Sequence, residues 1–178
     1  MFFINTFFFF SILGYIYEMI LHFLEHNIRN QILIGPWMPI YGIGIIITEL
    51  LNRFLSRRQK GFKKIIYCFF FSIIILTILE ELGGLLIEKM FCTKFWNYES
   101  IPLSIGPYIN ILISILWGFF AMILEYVVLP ITSPFLKKIP KWVSILCIIL
   151  LLIDNIINIY NKSCLFDKRL TLMRFIEK

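Results

Sequence analysis

Charge is what this sequence has least of. Only 16% of its 178 residues are charged, against about 25% in soluble domains. The runs Met1–Tyr17 and Ile65–Leu79 carry no charge at all. Cysteine is sparse too. Cys68, Cys92, Cys147 and Cys164 form no C-x-x-C pair, and two of them sit in apolar runs, where a free thiol behaves as a small hydrophobe. Neither a disulfide nor a metal is expected. There is no G-x-x-x-x-G-K-[ST] loop, which excludes ATP binding by that device. No Ser/His/Asp set and no cysteine with a nearby base suggests nucleophilic catalysis, and no cofactor is expected. The N-terminus lacks a basic stretch ahead of its apolar run and a small-residue cleavage site after it, so Met1–Leu24 is expected to be a retained first span.

What is abundant is apolar surface. Hydrophobic residues make up 60% of the chain, and its mean hydropathy is +0.86. A water-soluble fold of this length cannot hide that much, so the solvent is lipid. A spanning helix needs roughly 20 mostly apolar residues. Five stretches qualify, at about 2–24, 32–55, 65–88, 105–129 and 142–160. The expected fold is an all-α, polytopic helical bundle, one membrane domain over 1–178 with a basic tail at 161–178.

Lys and Arg gather in cytoplasmic loops, so the net charge of +6 reports topology rather than nucleic-acid binding. The loop after the second span holds Arg53, Arg57, Arg58, Lys60, Lys63 and Lys64, and the loop after the fourth holds Lys137, Lys138 and Lys141. The opposite loops hold only Arg29, Lys89 and Lys94. This asymmetry places the N-terminus in the cytoplasm of a multi-pass cell-membrane protein. The basic tail, with Lys162, Lys168, Arg169, Arg174 and Lys178, is the misfit, because five spans put it outside.

Ionisable groups inside a bilayer are costly and mark functional sites first. Glu18 in the first span and Glu80 and Glu81 in the third all fall in the outer half under this topology, with Glu88 at the outer edge. Glu81, Gly84 and Glu88 share one helical face, as do Gly14, Glu18, His22 and Glu25. A structural hydrogen bond and a functional role both stay open for Glu18, Glu80 and Glu81. Glu18, His22, Glu25 and His26 have carboxylate–imidazole spacing, but no second helix clearly completes a four-ligand site. Near the inner ends, Glu49 and Arg53 stand four residues apart and are expected to pair.

The start of the second span reads Gly35-Pro36-Trp37-Met38-Pro39-Ile40-Tyr41-Gly42-Ile43-Gly44. Prolines and glycines at that density break a regular helix, and broken backbone at membrane depth must line protein or a wet cavity. Gly35, Pro36, Pro39, Gly42 and Gly44 are therefore expected to shape an irregular outer end. Trp37, Tyr41, Trp96 and Asn97 join Glu18, Glu80 and Glu81 as candidate substrate-binding groups. The free N–H groups of Gly35, Trp37, Met38 and Tyr41 are expected to face those carboxylates.

These landmarks, in this order, resemble the bacterial membrane family named Putative ABC-transporter type IV, also called the CmpB-like permease family. The matching blocks are Leu13-Gly14-Tyr15-Ile16-Tyr17-Glu18, Gly35 through Gly44, Leu79-Glu80, Glu88-Lys89-Met90-Phe91, Phe95-Trp96-Asn97-Tyr98 and Trp117-Gly118. The chain departs from the family pattern at Arg29-Asn30-Gln31, at Asn97, where the family has Asp, and across Leu103–Tyr108. The resemblance implies a transport permease with a separate ATPase, for which the Asn52–Lys64 loop is the candidate dock. Membrane lipids are implied partners, and the small size suits a homo-oligomer. A lipid- or headgroup-modifying enzyme and a non-catalytic assembly protein are the alternatives.

Positive-inside reasoning predicts that Ser56–Gly61 faces the cytoplasm and Cys92–Glu99 the outside. Labelling of a Gln59→Cys variant by a membrane-impermeant maleimide in intact cells would reverse that orientation.

Overall fold

The structure, a computed structural model, describes residues 1–24 and 33–162, the side chain of Lys162 excepted. Glu25, His26 and Arg29, and the tail beyond residue 162, lie outside the described residues. Five long helices stand where five were expected: α1 (Phe2–Leu24), α2 (Pro39–Ser56), α3 (Gly61–Phe91), α4 (Ile111–Lys138) and α5 (Lys141–Lys162). Helices α1, α3, α4 and α5 are long and apolar enough to cross a membrane. At 18 residues, α2 is only about 27 Å long, slightly short of a hydrocarbon core of about 30 Å.

Polarity is distributed inside out. Among the described residues, thirteen buried side chains are polar or charged and nine are apolar. Large apolar side chains cover the outer faces of the helices, as at Phe23, Phe70, Leu86 and Ile131. Small and hydroxylated residues fill the contacts between helices, among them Thr6, Ser11, Thr48, Ser72 and Ser114. That is how helices associate when lipid removes the hydrophobic drive between them. Glycine sets the closest approach of α3 and α4: a Cβ on Gly118 would lie 2.4 Å from Ile73.

Three expected spans have other ends, the fourth running on to Lys138 rather than stopping near 129. The second helix starts at Pro39, not near residue 32, and Gly42 and Gly44 lie inside regular helix. Only the backbone through Met38 is irregular, because proline suits a first helical position but not an interior one. The third helix runs past its expected ends to Gly61 and Phe91. The fourth starts at Ile111, not near 105. Ser104–Ile105 and Ile109–Asn110 form a two-stranded antiparallel hairpin, β1–β2, turned through Gly106 at φ 69°. Asn110 is the reason. Its side chain accepts from the backbone N–H groups of Leu112 and Ile113, capping α4. Its amide also donates to the Pro102 carbonyl and the Ser104 hydroxyl.

Helix α4 widens into a π turn over Leu124–Val128. Pro130 has no N–H, and its ring crowds the carbonyl four residues earlier, so the ladder shifts register just ahead of it. The disulfide-free expectation also fails at one position. Cys92, which ends α3 in the left-handed conformation at φ 53°, is disulfide-bonded. The thiols within α3 and α5, Cys68 and Cys147, are free.

Helix α5 is held at two points. Near its start, the Ser144 hydroxyl donates to Asn5 Oδ1, and the Asn5 amide donates to the Leu136 carbonyl. Near its other end, Asp154 is 6% exposed and accepts from the backbone N–H groups of Ile34 and Gly35, both at 2.9 Å, and from the Trp37 indole at 2.7 Å. Asn158, one turn on, also donates to Asp154. Asp154 anchors the last helix. Asp154→Ala strands two backbone donors and an indole, each at about 1–3 kcal/mol. The expected result is a variant whose thermal midpoint falls well below that of Asp154→Asn. Equal midpoints for the two variants would remove Asp154 from this role.

Candidate functional site

Two glycines explain how carboxylates reach partners between tightly packed helices. Gly14 and Glu18 are four residues apart, on one face of α1. The Tyr41 ring lies directly across Gly14, where a Cβ would come within 2.3 Å of it. From that seat the Tyr41 hydroxyl donates to Glu18 Oε1 at 2.5 Å. The same construction recurs on α3. The Tyr108 ring covers Gly84, a Cβ there would lie 2.4 Å away, and its hydroxyl donates to Glu88 Oε2 at 2.8 Å.

Between these two pairs sits Glu80, 5% exposed. Its Oε1 accepts from the Tyr98 hydroxyl at 2.8 Å and its Oε2 from the Trp117 indole at 3.1 Å. The Trp117 ring stacks edgewise on Tyr41 with centroids 5.5 Å apart, and Tyr17 packs on Tyr41 at 6.2 Å. Glu18 and Glu80 are thus joined through a continuous aromatic group. Burial first, then the Glu80 carboxylate, raises the Tyr98 hydroxyl well above its ordinary range, and Glu18 adds to the effect from further off. His22 Nε2 lies 3.7 Å from Glu18 Oε2. Among the described residues, three buried atoms here have no hydrogen-bond partner: Glu81 Oε2, Trp96 Nε1 and His22 Nδ1.

Some predicted residues lie elsewhere. Trp37 turns to Asp154 and packs on Phe8, away from Glu80. Asn97 belongs to the exposed loop, where its amide donates to Glu99 and its carbonyl accepts from the Glu99 N–H. With Lys94 at 3.3 Å, it keeps the Glu99 carboxyl below its usual range. Trp96 packs edgewise on Tyr108. Contrary to expectation, the N–H groups of Gly35, Trp37, Met38 and Tyr41 do not meet Glu18, Glu80 or Glu81. Gly35 donates to Asp154, Trp37 to the Gly35 carbonyl, Met38 to the Ser11 carbonyl and Tyr41 to the Met38 carbonyl. Asp154 takes that role because the segment lies against α5. Tyr98, Tyr108, Trp117 and Asp154 were missed. The Gly84–Glu88 spacing was a usable signal for Tyr108; nothing local marks the other three.

At the basic end of the bundle the carboxylates are held differently. Arg53 grips Glu49 at 2.5 Å, as its spacing predicted. Asn52 donates to Glu125, on the π turn, and accepts from the Tyr126 hydroxyl.

The family model described as Putative ABC-transporter type IV matches residues 5–161. The chain belongs to that family. No curated protein and no solved structure shows significant similarity to it. The matched residues include both Gly–Glu pairs, Glu80 and the aromatic group, so the geometry above belongs to the family portion of the chain.

Tyr41→Phe leaves the ring on Gly14 but removes the donor to Glu18, at an expected cost of about 1–3 kcal/mol. Gly14→Leu displaces the ring altogether and is expected to lower the thermal midpoint further. A Gly14→Leu variant as stable as the native protein would show that the ring does not sit there.

Proposed function

We propose that the chain is the membrane subunit of a transport system and takes a small cation or amine-bearing solute between α1, α3 and the start of α2. The family is transport-related and the chain is rich in apolar helices, which supports the coarse role. One observation carries the finer one. Glu18 and Glu80 are held by hydroxyl and indole donors rather than by Lys or Arg. Such donors satisfy lone pairs but leave negative charge in place. A cation beside aromatic faces supplies what is missing, and Glu81 Oε2 is an acceptor still to be filled.

In this reading the low-charge end faces outward, the N-terminus lies in the cytoplasm of a cell-membrane protein, and a separate ATPase docks at the basic end. Within the Asn52–Lys64 candidate, Asn52 and Arg53 are committed to Glu125 and Glu49. The dock therefore narrows to the exposed turn around Arg57, Arg58 and Lys60. A homo-oligomer would bring two such sites together.

Glu18→Gln and Glu80→Gln keep shape while removing charge. Both variants are expected to reach native levels in the membrane. Each is also expected to weaken at least tenfold the thermal stabilisation that the purified native protein gains from a panel of Na⁺, K⁺, choline and spermidine. A native protein that none of the four stabilises would sink the cation reading. Loss of expression in both variants would make the carboxylates structural. Recovery of an ATPase subunit on gentle copurification tests the partner separately.

A further inference from the structure

Between its two anchoring points, α5 stands away from α1 and α2. Ser144 holds it near one end and Asp154 near the other. The gap between them is a groove of about 290 Å³ lined only by apolar side chains, including Phe3, Phe7, Ile46, Ile148 and Leu152. An empty groove of this kind is unfavourable in hydrocarbon, where packing is what holds helices together. That volume is less than one turn of a helix about 10–12 Å across with a pitch of about 5.4 Å takes up, so a helix does not fit within it. A single acyl chain is narrow enough to enter it.

The charge at one mouth selects the headgroup. The Arg53 guanidinium sits 5.1 Å from the Phe3 ring, at the bottom of the groove, and is half exposed. Lys137 lies 5.7 Å from the ring of the neighbouring Phe2, and Lys141 begins α5 beside it. Residues 49–64 and 125–148 contain nine Lys and Arg against two carboxylates, Glu49, which pairs with Arg53, and Glu125. We propose that this groove is a phospholipid site, holding one acyl chain between α1, α2 and α5 with an anionic headgroup at Lys137 and Lys141. The site is independent of the carboxylate group at the other end and does not rest on the transport reading. It would let an anionic lipid brace a helix that otherwise touches the bundle chiefly through two polar clamps.

The test is native mass spectrometry of the detergent-purified full chain titrated with dioleoyl phosphatidylglycerol or dioleoyl phosphatidylcholine. The native protein is expected to take up one phosphatidylglycerol at least fivefold more tightly than phosphatidylcholine, on the scale of one Lys or Arg contact at a membrane surface. Lys137→Gln with Lys141→Gln should erase the preference while keeping phosphatidylcholine binding. Ile148→Trp or Leu152→Trp, which fill the groove, should weaken both lipids. Ile153→Trp, on an exposed face of the same helix, should change neither and controls for folding. Equal affinity of the native protein for the two lipids would overturn the headgroup assignment. Groove-filling variants that bind both lipids like the Ile153→Trp control would overturn the site. Dissociation of a dimer by those variants, with lipid binding intact, would assign the groove to a second copy of the chain instead.

Discussion

A carboxylate placed among hydrocarbon chains must be given donors, and helix packing leaves little room to bring them. The solution here is a tyrosine laid flat across a glycine. At Gly14 and at Gly84 the missing Cβ makes a seat for a ring, and the glutamate four residues on stands where the phenol ends. The spacing is set by the helix repeat: one turn of rise is about 5.4 Å, close to the length of the ring that must bridge it. Much else follows from these seats. Tyr41 fixes how α2 crosses α1, Tyr108 fixes the β1–β2 hairpin against α3, and the Trp117 ring that reaches Glu80 rests on Tyr41.

The two seats are reached by similar sequence. Ile34-Gly35-Pro36-Trp37 leads into α2, and Ile105-Gly106-Pro107-Tyr108 leads into α4. Each follows a helix carrying Gly-x-x-x-Glu. The chain thus uses one local plan twice, a helix with a seat, a Gly-Pro turn and a returning helix. The outcomes differ because the aromatic residue differs. Tyr108 follows the proline and takes its own seat, whereas Trp37 turns to Asp154 and leaves the first seat to Tyr41, four residues later.

Much of this was legible in the residues. Charge scarcity and apolar runs gave five helices and a lipid solvent, and depth along the helices singled out Glu18 and Glu80. Helical spacing paired Glu49 with Arg53. What was not legible is which donor meets which acceptor across the bundle. Nothing local marks Asp154 as an anchor, because three of its four donors come from a segment 117–120 residues earlier. Nothing near Tyr98 or Trp117 in the sequence shows that both donate to Glu80. A pattern of one residue type along one helix carries depth and face but not the identity of the neighbour. The start of α4 was misread because Asn110 is polar in a run that otherwise continues as helix, and only its capping geometry shows it to be a boundary.

The two ends of the bundle solve the same electrostatic problem with different donors, and the difference bears on function. At the basic end, a guanidinium neutralises Glu49, and an amide ties Glu125 to its neighbours. The Arg53–Glu49 pair has little left to offer a ligand, and breaking it leaves an uncompensated buried charge, whereas Glu125 keeps Oε2 without a hydrogen-bond partner among the described residues. At the other end, Glu18 and Glu80 meet hydroxyls and an indole, with an imidazole edge 3.7 Å from Glu18. Uncharged donors orient a carboxylate without cancelling its field, so attraction for a cation persists and is strengthened by low-dielectric surroundings. Retaining open negative charge among aromatic rings is costly to the fold, and under the transport reading proposed above a positively charged solute would offset that cost.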